Sequence, residues 1–173
     1  LQAFLATHEN FRASVSATTR DPRPGEVEGE HYFFMTPEEF ERQIAAGAFV
    51  EHACVFGRNS YGTPRQAILD RLAAGISVIM DIDVQGGRQL RENLSEAVQV
   101  FVVPPSPAEL ERRLRGRGTE AEQVIQDRLA TASSELTVWS EYDYCIVNDE
   151  LDQSLRELAA IVTAETCRSA RRQ

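Results

Sequence analysis

The chain contains no lysine: all 18 of its basic residues are arginines. A lysine nucleophile and a phosphate-binding lysine are therefore excluded from the sequence as given. Cysteine is scarce as well. Cys54, Cys145 and Cys167 are scattered and odd in number, no metal-ligand spacing links them, and the three histidines do not cluster near them. They read as idle or buried thiols of a reducing cytosol. No apolar run is longer than a strand, so nothing reads as a signal peptide or membrane-spanning helix, and no membrane partner is expected. Positive charge is outweighed: 27 acidic residues against 18 basic ones give a net charge of -9 and a pI near 4.9. That balance argues against a general binder of nucleic-acid polymers, which shows a basic face. It leaves room for a site that takes one nucleotide through a local cluster of arginines.

What is present centres on Ser14 to Phe34, SVSATTRDPRPGEVEGEHYFF. Arg20 and Arg23 stand three residues apart on a loop stiffened by Pro22 and Pro24, with hydroxyls nearby at Ser16, Thr18 and Thr19. A guanidinium is a planar fork that meets phosphate oxygens in pairs, and proline lowers the entropy cost of holding it in place. The loop suits a small phosphate dianion; its bland alternative is a pair of solvated arginines.

At 173 residues the chain is one domain, or one domain with an insertion. Leu1 to His8 has helical spacing. Ala13 to Ser16 and Tyr32 to Met35 read as strands. Thr36-Pro37-Glu38-Glu39 is a helix start, with a cap, a first-turn proline and a glutamate at the third position, and that helix ends at Gly47. Phe49 to Val55 alternates as a strand and turns back through residues 57–60 toward Tyr61 and Thr63. A helix follows from Pro64 to near Gly75. Ser77 to Met80 and Val98 to Val103 read as buried parallel strands, separated by a helix from Gly86 through Leu94. Ser106 caps a helix through Leu114. Residues 120–139 read as one long helix, Tyr144 to Val147 as the last strand, and Leu151, Leu155, Leu158 and Val162 as the apolar side of a final helix. Strands alternating with helices imply an α/β fold with a parallel sheet.

The arginine-loop string closely resembles the nucleoside-monophosphate loop of the guanylate kinase family. FVEHACVFGRNSYGTPR, VIMDIDVQGGRQL, VFVVPPSPAELERRLRGRGTE and YDYCIVNDELDQSLREL repeat the resemblance in order, so it covers nearly the whole chain. It implies a P-loop-kinase-like three-layer fold with a parallel sheet, a small mixed β/α GMP-binding insert and a helical lid. The expected division is partial core over 1–16, GMP-binding domain over 17–63, core over 64–111, lid over 112–130 and core again over 131–173. The family's phosphate-binding loop, of the form GxxGxGKST, does not occur in the sequence. The expectation is a chain short of its first strand and that loop, which binds ATP poorly and turns over little.

The resemblance implies ATP:GMP phosphotransfer, with GMP and ATP as partners and Mg2+ accompanying ATP, in a cytoplasmic monomer or homodimer. Arg20, Arg23, Tyr32 and Tyr61 map onto the GMP phosphate site. Glu51, Thr63 and Asp83, with Ser16 close by, suit guanine: a carboxylate reads its N1 and N2 donors and a hydroxyl its O6, which discriminates strongly against adenine. Arg58-Asn59-Ser60 lengthens the hairpin by one residue against the family pattern, which bears on the placement of Tyr61. Arg113, Arg117 and Arg128 map onto lid arginines that close over the ATP phosphates, with Arg20, Arg113 and Arg128 as the expected catalytic charges and Arg113, Arg117 and Asn148 on the ATP side. Asp81, at the end of a parallel strand, is a candidate to hold Mg2+ through water. No covalent nucleophile is implied, since the attacking group would be a phosphate oxygen of GMP. A guanylate-kinase-like module without activity that binds phosphopeptides or GMP, and a kinase of another small phosphorylated metabolite, stay open as alternatives.

Overall fold

The computed structural model describes residues 1–55, 58–116 and 122–171. The chain falls into two compact units, Leu1–Ala97 and Val98–Gln173.

The first unit runs α1 (Gln2–Leu5), β1 (Phe11–Ala13), β2 (Ser16–Thr18), β3 (Tyr32–Phe34), α2 (Pro37–Ala45), β4 (Phe49–Val55), β5 (Asn59–Pro64), α3 (Arg65–Ala73), β6 (Ser77–Ile79) and α4 (Val84–Asn93). The strand expected over Ala13 to Ser16 is in fact two. β1 pairs in parallel with β6, while β2 belongs to a mixed sheet of order β3-β2-β5-β4. Around Val15 the backbone changes partners, and no residue type in that alternating stretch marks the switch. β2 is parallel to β3, with Ser16 opposite Tyr32, and antiparallel to β5, with Thr18 opposite Tyr61.

The mixed sheet is packed by α2. Thr36 caps that helix by accepting from the Glu39 amide at 3.2 Å, with Pro37 at the first turn, a cap that contributes about 1 kcal/mol. Gly47, at φ 65°, carries the chain out of the helix. Phe40 is 1% exposed and stacks on Phe49 with centroids 4.6 Å apart; Ala17 completes the buried cluster, against which Phe33, Met35 and Ile44 pack. Full burial of a phenylalanine is worth about 2–3 kcal/mol, so this cluster anchors the sheet from which the site residues project. α1 is shorter than expected; it holds Phe4, buried between the rings of His8 and Phe11.

The second unit runs β7 (Val100–Val103), α5 (Pro107–Gly116), α6 (Glu122–Glu135), a 3-10 segment (Leu136–Glu141), β8 (Tyr144–Val147) and α7 (Leu151–Thr166). β7 and β8 pair in parallel. β7 is less covered than expected: Phe101 is 9% exposed but Val102 is 57% exposed. Among the described residues its strand partner is β8 alone. α7 docks on β8, where buried Glu165 accepts from the Tyr144 hydroxyl at 2.6 Å and meets Arg168 at 2.9 Å; its apolar side keeps Leu155, Leu158 and Val162 half-buried but leaves Leu151 exposed. The single helix expected over 120–139 gives way to 3-10 geometry at Leu136. Thr131, Ser134 and Thr137 there donate their hydroxyls to carbonyls three or four residues back, a competition with the helical ladder that favours such tightening.

Candidate active site

The arginine loop leaves the sheet at Thr18. Thr19 and Ser60 pin its start: the Thr19 amide donates to the Ser60 carbonyl at 3.1 Å, and the Ser60 amide to the Thr19 hydroxyl at 2.9 Å. Gly25 and Gly29 take the positive φ values, 88° and 75°, that turn the loop back. Arg20 then lies over the Tyr32 ring, 5.4 Å from its centroid, and Tyr32 meets Tyr61 edge-on with centroids 6.0 Å apart. The structure thus gathers Arg20, Tyr32 and Tyr61. The β4–β5 register is continuous from Glu51↔Thr63 to Val55↔Asn59, with Tyr61 opposite Ala53. Arg23 is exposed, and its amide donates to Glu26 at 2.7 Å.

Glu26 was not among the residues singled out from the sequence. Both its oxygens accept from one Arg20 nitrogen, at 2.8 and 3.0 Å. Arg20 first, and the Arg23 amide next, hold the Glu26 carboxyl below the usual carboxylate range. Arg20 is raised in turn, chiefly by Glu26 and further by Tyr61, so its charge is permanent. A carboxylate three residues after the second arginine was the available signal.

The second cluster forms where β4 and β5 face α4. Glu51 lies directly across from Thr63 and is 7% exposed, and the buried Thr63 hydroxyl donates to Glu51 Oε1 at 2.6 Å. Burial pushes the Glu51 carboxyl up, the Thr63 bond draws it back, and the Asp83 charge nearby adds to the rise. Asp83 caps α4, accepting from the Gly86 amide at 2.8 Å, so one of its oxygens is spent on helix structure. Its side remains exposed, as does Asp81, which lies beyond the end of β6. Glu51, Thr63 and Asp83 are therefore brought together. Ser16 sits half-buried at the start of β2.

Of the expected ATP-side residues, Arg113 is engaged on α5: it donates to Glu109 at 2.6 Å, to the Asn148 carbonyl at 2.8 Å and to the Asp149 carbonyl at 3.4 Å. Asn148 uses its side-chain oxygen to accept from Ser154 at 3.3 Å. Arg128 is on the exposed side of α6, and Arg117 lies outside the described residues. A depression of about 340 Å³ between Val103, Pro105, Leu136 and Trp139 contains none of the expected residues. Among the described residues no group of three or more histidine, cysteine or acidic side chains could hold a metal.

An α/β chain that sets an arginine loop ringed by tyrosines in one sheet with a buried carboxylate–hydroxyl pair is of the class that takes small phosphorylated compounds. Comparison with known proteins narrows the class. The family described as guanylate kinase matches residues 1–165. The guanylate kinase of Escherichia coli K12 is 50% identical over 175 residues, which cover all of this chain and 84% of that protein, and the guanylate kinase of Salmonella typhi gives the same figures. The crystal structure of guanylate kinase from Anaplasma phagocytophilum superposes with a TM-score of 0.77 at 37% identity, over 98% of this chain and 82% of that one. The chain belongs to the guanylate kinase family.

Proposed function

We propose that the protein transfers the γ-phosphate of ATP to GMP, giving ADP and GDP, and that the arginine loop and the Glu51 pocket form its GMP site. The observation that carries this reading is the buried Glu51–Thr63 pair on the same sheet as Arg20, Tyr32 and Tyr61. Arg20 and Arg23, with the Tyr32 and Tyr61 hydroxyls, take the phosphate. Glu51 accepts from N1 and N2 of guanine, while Thr63, Ser16 and Asp83 complete the base contacts. A buried acceptor left unpaired by the wrong base costs about 1–3 kcal/mol, which is the basis of selection over adenine.

In the chemical step a phosphate oxygen of GMP attacks the γ-phosphorus and ADP leaves. The protein's part is alignment and charge. Arg113, Arg117 and Arg128 serve as lid charges, and Asn148 belongs to the adenine side. Arg113 would have to exchange its Glu109 and Asn148 partners for phosphate. Asp81 would hold, through water, a Mg2+ brought in with ATP, which would supply charge neutralisation. Residues 17–63 then act as the GMP-binding domain, 112–130 as the lid, and the remainder as core. We place the enzyme in the cytoplasm, consistent with three cysteines that form no disulfide.

The test is calorimetric titration with GMP and AMP, alongside a coupled assay for ADP release. GMP binding at least a hundredfold tighter than AMP, lost in Glu51→Ala, is the expected result. Equal binding of the two nucleotides would overturn the reading. GMP binding with little ADP release is the outcome expected of a chain without the GxxGxGKST loop, whereas phosphopeptide binding tighter than GMP binding would favour a non-catalytic module.

A further inference from the structure

We infer that the α4 face formed by Gly86, Gln89 and Asn93 is a positioning element for Glu51. This rests on the guanine reading of Glu51 given above, and it adds residues to which no role has been assigned.

Among the described residues β4 is an edge strand: in the order β3-β2-β5-β4 its strand partner is β5. Its other side exposes backbone donors and acceptors on alternate residues, which must find partners when covered. α4 supplies them from side chains. Gln89 Oε1 accepts from the His52 amide at 3.0 Å, and Gln89 Nε2 donates to the His52 carbonyl at 2.8 Å. A primary amide offers one acceptor and two donors, so a single carboxamide makes the same pair of bonds that a residue of a neighbouring strand would make. Asn93 repeats the device on Val50, donating to its carbonyl at 3.0 Å. Val50 and His52 are the two residues that flank Glu51.

The third member is Gly86. Offsets of three and seven residues put Gly86, Gln89 and Asn93 on one helix face. A Cβ at Gly86 would come within 3.1 Å of Glu51 Oε2. One face of α4 therefore holds the backbone on both sides of Glu51 and leaves the space its carboxylate fills, while Thr63 holds the other oxygen at 2.6 Å. A buried carboxylate that is to read a base must be fixed within a fraction of an ångström. The amide pair supplies that restraint without adding a charge beside Glu51.

The test uses Gln89→Ala and the isosteric Gln89→Glu, which keeps an acceptor for the His52 amide but sets an oxygen against the His52 carbonyl. Three readouts separate the possibilities. In the nucleotide-free protein, hydrogen exchange at the His52 amide should accelerate at least tenfold and the carboxyl carbon resonance of Glu51 should move. GMP affinity should fall about tenfold, the worth of a hydrogen bond to a charged group. Affinity for inosine monophosphate, which lacks the 2-amino group, should fall less, so that the preference between the two collapses. The melting temperature of Gln89→Glu should fall by several degrees, because the His52 carbonyl loses its donor, with both variants still folded at the assay temperature. An unmoved Glu51 resonance, or an equal loss for both nucleotides, overturns the inference. If the resonance moves but the parent protein has no preference for GMP over inosine monophosphate, the guanine reading of Glu51 falls while its positioning by α4 stands.

Discussion

Replacing Gly86 by alanine tests the Glu51 pocket with a single added carbon. The Cβ would lie 3.1 Å from Glu51 Oε2, 3.3 Å from the Ile82 Cβ and 3.5 Å from Asp83 Oδ1. The last contact is ordinary. The first two are short by a few tenths of an ångström, and they differ in what can yield. Ile82 Cβ is fixed to the backbone, whereas the Glu51 oxygen is the end of a side chain that can swing, restrained by its bond to Thr63. Glu51 should therefore give way by about 0.3 Å, a strain of about 0.5–1 kcal/mol on the scale of an off-rotamer side chain.

Against that stands the gain in helix propensity from glycine to alanine, up to about 1 kcal/mol, reduced here because Gly86 is in the first turn of α4. The two nearly cancel, so the melting temperature should stay within about 4 °C of the parent, where 1 kcal/mol corresponds to about 2–4 °C at this chain length. Guanine binding should not be spared. A carboxylate displaced from its base loses about 1–2 kcal/mol of charged hydrogen bonding, a weakening of GMP affinity of about 5- to 30-fold. Thermal unfolding with GMP titration on the same preparation reads both quantities. Full GMP affinity in a well-folded Gly86→Ala protein would show that the Glu51 oxygen is no base contact. A fall of more than 10 °C would show that the side chain cannot yield, and the packing argument would be wrong.

Glu51 also sets a pH dependence. Burial raises its pKa, so the folded state binds the proton more tightly than the unfolded chain. That contribution to stability is complete below the unfolded value and disappears as pH rises through the folded one. Glu51→Gln should flatten this slope and raise the melting temperature at pH 7 by about 2–4 °C, a gain of about 1 kcal/mol typical of functional carboxylates, while removing guanine selection; unchanged or lower stability refutes it. Glu109 behaves oppositely. Arg112 first and Arg113 next hold it down to about 2. Its contribution is present above the usual carboxylate range and fades as pH falls toward 2. Carboxyl NMR should find that midpoint in the parent and a return toward the usual range in Arg112→Ala/Arg113→Ala, and a midpoint that stays low in the double variant would place the cause elsewhere.

Local chemistry made α2 readable from the sequence. Its cap, its first-turn proline and the glycine that ends it all act within a few residues of one another. The stretch from Phe11 to Thr18 could not be read that way. Its alternation is the same whether the chain runs as one strand or two, and only the distant partners, β6 for one half and β5 for the other, decide where it breaks. The 3-10 ending of α6 was open to inference from Thr131, Ser134 and Thr137, whose hydroxyls compete with the backbone. Apolar spacing, which suggested one helix, carries no information about that competition.

The site divides along the same line. Arg20, Tyr32, Glu51 and Thr63 could be singled out because the strings that carry them resemble the guanylate kinase family; by residue type alone a tyrosine reads as core packing and a strand carboxylate as an exposed charge. Arg113 shows the limit of that inference, since it is spent on Glu109 and on the carbonyls of Asn148 and Asp149. Gln89 and Asn93 show the converse. An amide on a helix in sequence is read as a solvated face, and only the opposing edge of β4 turns it into a hydrogen-bonded clamp. Glu51 was legible through the resemblance its string carries, whereas the amides that meet the backbone beside it become legible only once the outward-facing groups of β4 have been accounted for.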